Sequence, residues 1–161
     1  MKINSSFTKG NYGFTLVELI VVLSTIVTLM GFIVISLANS QQRASITSTT
    51  EILLSDLKQQ QMKSMIGDTE GRPYAGPFGA HFELGRYVLF HGPSYDSLDS
   101  SNFTVDITSD MRFNTTGEII FSRVSGEISL PAIIELQDNT NSSIRRIHLN
   151  AYGAITEVES I

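Results

Sequence analysis

Between Phe14 and Ala38 the chain carries one charged side chain, Glu18, in an otherwise largely apolar run of 25 residues. A run of this kind is stable only where its surroundings are apolar as well. At about 1.5 Å per residue a helix of this length reaches roughly 37 Å, beyond the roughly 30 Å of a bilayer's hydrocarbon core. The run therefore predicts a transmembrane segment over 14–38. A carboxylate on such a helix costs roughly 2.5 to 3.5 kcal/mol at the bilayer centre and less near its edge, so Glu18 calls for a role beyond anchoring.

Charge gives the expected orientation. Residues 1–13 hold Lys2 and Lys9 and no acid, which leaves nine basic and fifteen acidic residues for 39–161, a net of −6. The positive-inside bias keeps the basic end cytoplasmic and places the acidic remainder beyond the membrane. With no cysteine in the chain, disulfides are excluded and stability must come from a packed core.

The part beyond the run suits one small domain. No proline occurs before Pro73, and Ile46, Leu53, Leu54, Leu57 and Met65 recur at helical spacing, so an amphipathic continuation is expected over 39–66. Gly67, Gly71, Pro73, Gly76 and Pro77 punctuate its end. Strands are expected at Ala80–Leu84, Tyr87–His91, Phe103–Thr108, Glu118–Ser122, Ala132–Gln137, Ile144–Asn150 and Ala154–Val158, separated by Ser, Asn, Asp and Gly-rich turns. The fold class read from these patterns is α+β. A long N-terminal helix, transmembrane in its first half and amphipathic in its second, packs on a small antiparallel β-sheet domain over 67–161.

The junction Gly13-Phe14-Thr15-Leu16-Val17-Glu18, behind a short basic leader and ahead of an uninterrupted apolar run, resembles the prepilin signal of type IV pilins and type II secretion pseudopilins. The resemblance implies a leader peptide over 1–13, cleavage by a prepilin peptidase between Gly13 and Phe14, and methylation of the new terminus at Phe14. Glu18 then becomes the fifth mature residue and an assembly residue. A freed amine has an ordinary pKa near 8, so it is largely cationic at neutral pH, and the Glu18 of a neighbouring subunit can neutralise it. Breaking one side of a buried ion pair costs roughly 3 to 5 kcal/mol, which makes such a pair a register device. The later stretches Leu54-Ser55-Asp56-Leu57, Gly79–Phe90 and Ile144–Ile155 are similar to minor pseudopilins of the GspH/FimT type.

What the resemblance implies is a structural subunit of a type II secretion pseudopilus or a type IV pilus, minor rather than major. Its implied partners are the prepilin peptidase, other pilins or pseudopilins and an inner-membrane assembly platform. Its implied location is the bacterial inner membrane, single-pass, with the C-terminal domain periplasmic or extracytoplasmic, and the filament after assembly. Two plainer readings weigh against it: a secretory signal released after Ala38, preceded by Ser36 and Leu37, and a simple anchor. The first is opposed by the length of the run and by Glu18, and the second explains neither Gly13-Phe14 nor Glu18.

The alternative function is a membrane-anchored binding module of the DNA-uptake kind, with Arg145 and Arg146 as candidate DNA contacts. Adjacent strand residues face opposite sides, and the exported part is acidic, so nucleic acid is not the expected partner. No catalytic residue, metal or cofactor is expected, and the chain is not read as an enzyme. With a hairpin centred on Gly85, His81, Glu83 and His91 would share a face and could in principle hold a metal, although solvent-facing strand residues explain the same pattern more simply. Asp96 and Asp99 lack the ligand set calcium requires.

Overall fold

The computed structural model describes residues 15–140 and 142–161, the side chains of 31–44 excepted. The chain divides into two compact units, Met1–Gln42 and Arg43–Ile161. Helical backbone is assigned to α1 (Leu16–Ile66), with side chains described over 16–30 and 45–66. Two short helical stretches, one in each unit, thus stand where one long N-terminal helix was expected. Among the described residues no helix is long and apolar enough to cross a membrane. The transmembrane first half, and with it the single-pass inner-membrane location, are corrected accordingly.

In the second unit, the stretch 45–66 buries Ile46, Thr50, Leu53, Leu57, Gln60 and Ser64. Their spacings alternate four and three, which is one stripe of a 3.6-residue helix. Half of that stripe is polar, and Met65, expected on the apolar side, is exposed. The helix ends at Ile66 by a glycine cap. Gly67 takes φ +67°, its N–H donates to the Ser64 carbonyl at 3.3 Å, and the Asp68 N–H donates to the Lys63 carbonyl at 3.0 Å. This pair of bonds satisfies carbonyls that a helix end otherwise leaves open.

Eight strands follow: β1 (Phe78–Glu83), β2 (Arg86–His91), β3 (Phe103–Asp106), β4 (Met111–Phe113), β5 (Gly117–Phe121), β6 (Ala132–Asp138), β7 (Ile144–Leu149) and β8 (Ile155–Ser160). They form two antiparallel four-stranded sheets, ordered β3-β2-β1-β5 and β4-β6-β7-β8, rather than one small sheet. Three residues of β4 were not foreseen as a strand. Their buried–exposed–buried alternation places Met111 and Phe113 in the core. One core cluster joins Ile46, Leu53 and Leu57 of the helix to Phe82, Tyr87 and Phe121 of the first sheet and to Phe113, Ile134, Leu136 and Ile147 of the second.

The β1–β2 hairpin turns through two residues, Leu84 and Gly85, so that Glu83 faces Arg86, His81 faces Val88 and Phe78 faces His91. This register is one residue away from a turn centred on Gly85. A one-residue slip moves a side chain to the opposite face. His91 accordingly lies with Phe78 on the core side, stacked at 4.2 Å, while His81 lies on the other face and stacks on Tyr95 at 4.2 Å. The grouping of His81, Glu83 and His91 on one face is corrected by this register.

Candidate assembly site

Thr15 begins the first helical stretch. Its Oγ1 accepts the Glu18 N–H at 3.2 Å and its carbonyl accepts the Leu19 N–H at 3.1 Å, so Thr15 serves as the N-cap. Thr15-Leu16-Val17-Glu18 has the spacing of a capping box, with the acid at the third helical position, where the helix dipole favours negative charge. This local role of Glu18 was legible in the four residues and was overlooked beside the assembly role.

Beyond the cap the stretch is apolar on every side. Leu16, Val17, Leu19, Ile20, Val22, Leu23, Val27 and Met30 are all exposed, from 45% at Val22 to 72% at Leu16. The hydroxyls that interrupt the run turn inward on their own backbone. Ser24 Oγ donates to the Ile20 carbonyl at 2.8 Å, Thr25 Oγ1 to the Val22 carbonyl at 2.8 Å and Thr28 Oγ1 to the Ser24 carbonyl at 2.8 Å. Hydroxyls bonded in this way add little polarity to the surface. The stretch therefore presents a contiguous apolar surface broken by one exposed carboxylate, Glu18, a combination that calls for a partner. Gly13 and Phe14, the processing residues, lie outside the described residues.

The two arginines do not share a face. Arg146 donates from Nε to Glu135 Oε1 at 2.8 Å and lies 3.5 Å from Glu159 Oε2. The hydrogen bond donated to Glu135 is the chief cause that raises the Arg146 pKa above its ordinary value. Arg145 points to the other side, where it donates to Thr47 Oγ1 at 3.3 Å and to Ser160 Oγ. One arginine is thus matched by two acids on the outer face of the second sheet, and the other braces the helix. No joint cationic patch results.

Asp96 and Asp99 are occupied within their loop. Asp96 Oδ1 accepts the Leu98 N–H at 3.0 Å, and Asp99 accepts the Ser101 N–H at 3.0 Å and pairs with Arg72 at 2.6 Å. The Ser101 backbone bond, and after it the Arg72 bond, hold the Asp99 carboxyl at about 2. The same loop carries Tyr95 over His81, and the Tyr95 N–H donates to Glu118 Oε2 at 2.9 Å.

A cleft of about 510 Å³ opens between the helix and the first sheet, lined by Asp56, Gln60, Lys63, Phe78 and Phe103 among others. Asp56, one of its lining residues, accepts the Tyr87 hydroxyl at 2.5 Å through Oδ2, and burial followed by this bond raises the Tyr87 pKa far above its usual range. No pair of groups there forms a nucleophile with a base, so the cleft has no evident chemistry of its own. The structure does bring together His148, Glu157 and Glu159, a trio the sequence reading did not foresee. The signal was present in the alternation of Glu157 and Glu159, but the pairing of β7 with β8 was needed to set His148 beside them.

Compared with family models, curated proteins and solved structures, the chain gave no match.

Proposed function

We propose that the protein is a structural subunit of a pilin-like filament, a type II secretion pseudopilus or a type IV pilus, matured by cleavage after Gly13 and methylation at Phe14. The carrying observation is the helical stretch 16–30, exposed and apolar on all sides, its hydroxyls bonded to its own backbone and its one charge at Glu18. Subunits of one filament supply such a stretch with apolar neighbours, and the amine created by cleavage supplies Glu18 with a counter-charge. The prepilin peptidase and other pilin-like subunits are then its partners. The domain 43–161, with a cation matched by acids and no assembled catalytic group among the described residues, acts as the body that the stretch delivers into the filament.

Mass spectrometry of the chain made together with a prepilin peptidase tests the first step. A terminus at methylated Phe14 is expected, and an uncut chain, or one starting at Asn39, overturns the reading. Assembly is tested by Glu18→Ala. The variant is expected to be made and folded like the parent yet to be lost from sheared filament fractions, and normal incorporation removes Glu18 as an assembly residue.

A further inference from the structure

On the outer face of the second sheet, β7 and β8 place His148 directly opposite Glu157, with Glu159 two residues further along β8 on the same face. One ligand atom from each of the three lies within 4.8 Å of the others. The ladder is irregular at this point, since the register shifts between His148 and Leu149, which pair with Glu157 and Ile155 and leave Thr156 as the extra residue. Irregularities of this kind re-aim side chains, and here the shift lies beside the pair His148–Glu157.

The polar accounting around the trio is incomplete. His148 Nε2 is buried and has no hydrogen-bond partner, its nearest carboxylate oxygen being Glu159 Oε1 at 3.8 Å. Glu157 forms no ion pair among the described residues. Apart from His148, Glu159 has among the described residues only the long 3.5 Å contact with Arg146, whose guanidinium is already held by Glu135 at 2.7 Å. Two carboxylates and one imidazole nitrogen that lacks a hydrogen-bond partner thus converge. A buried polar atom left without a partner is costly, so a group that bonds His148 Nε2 while neutralising the acids is favoured there.

We propose that His148, Glu157 and Glu159 bind a zinc ion, with water or a group from another molecule completing the tetrahedron. One imidazole and two carboxylates form a nitrogen–oxygen set that suits zinc, whereas calcium and magnesium take oxygen ligands in greater number. Tetrahedral ligands about 2 Å from zinc lie a little over 3 Å apart, so the side chains close by about an ångström or slightly more on binding. Glu157 is exposed and has the freedom to do so. The ion would fasten the outermost strand β8 to β7, and the fourth position would remain open outward.

Zinc alone is the probe, titrated into the full chain, dispersed in a nonionic detergent, in competition with a chromophoric chelator. The expected result is saturable binding of one zinc per chain. Glu157→Gln and His148→Ala are expected to weaken it at least tenfold, while His81→Ala leaves it unchanged. Glu157→Gln alters an exposed side chain and keeps its shape, so a folding defect cannot stand in for lost binding. Hydrogen exchange of β8 amides is expected to slow with zinc in the parent and not in Glu157→Gln. Absence of saturable zinc binding, equal binding by the parent and both site variants, or a preference for calcium over zinc each overturns the assignment.

Discussion

The two described stretches of α1 obey opposite rules. In 45–66 the buried positions form one stripe, and half of that stripe is polar, with Thr50 Oγ1 donating to the Ile46 carbonyl at 2.7 Å. In 16–30 apolar residues face every direction and none is buried. The first pattern is that of a helix whose partner is its own chain, and the second of a helix whose partner is another molecule. Substitutions in one stretch should therefore change folding, and substitutions in the other should change association.

The widest separation is expected from core truncation. Phe121→Ala, at a fully buried position against the helix, should lower the stability of the domain by about 3 to 5 kcal/mol in chemical denaturation. Leu19→Ala should stay within about 0.5 kcal/mol by the same measurement while reducing association of the chain. An equal loss at both positions would erase the contrast.

Ser64→Ala comes next. Ser64 Oγ donates to the Phe121 carbonyl at 2.8 Å and accepts the Phe78 N–H at 2.7 Å, all buried, so its removal should cost about 1 to 3 kcal/mol. Ser24→Ala is the matching change in the other stretch. It removes a hydroxyl bonded only within its own helix and should leave the midpoint of unfolding in place.

Tyr87→Phe removes the bond to Asp56 and should cost about 1 kcal/mol or a little more, read from the same denaturation curves. A silent Tyr87→Phe would indicate that the bond to Asp56 adds nothing to stability.

The smallest effect is a pH dependence. Burial, and after it the Arg72 charge, lowers the His91 pKa, although Glu70, Asp68 and Asp99 pull the other way. The unfolded chain then takes up the proton first as pH falls. Stability from His91 is fully present above the ordinary histidine value of about 6.5 and is lost as pH falls through the lowered folded value. Thermal midpoints of the parent should fall between roughly pH 7.5 and 5, and His91→Phe should flatten that slope. An unflattened slope would place its origin elsewhere.

Much of the domain was written in local signals. The end at Ile66 followed from Gly67, and seven of the eight strands followed from alternation bounded by turn residues. What the sequence withheld was set by parity and by distant pairing. Leu84-Gly85 and a turn centred on Gly85 differ by one residue, and that residue decides whether His91 stacks on Phe78 or faces away from the core. β4 escaped because three residues cannot display a period. Thr50, Gln60 and Ser64 escaped because a stripe sought by hydrophobicity passes over the polar groups that complete it. The candidate assembly residues were legible because Glu18 is alone among apolar neighbours, whereas the trio around His148 exists only once β7 and β8 are paired.

Ser64 also bears on how the domain would respond to force. Its hydroxyl holds the start of β1 and the end of β5, and its carbonyl accepts the Val124 N–H at 3.2 Å as well as the capping bond from Gly67. Three attachments outside the helix thus meet its own cap at one residue near the last turn. A pull along that helix would load them together, as a shear joint does, and would not open them one after another like a zipper. The domain should consequently yield at a high force and all at once, a mechanical property suited to a part that is pushed or drawn by one end.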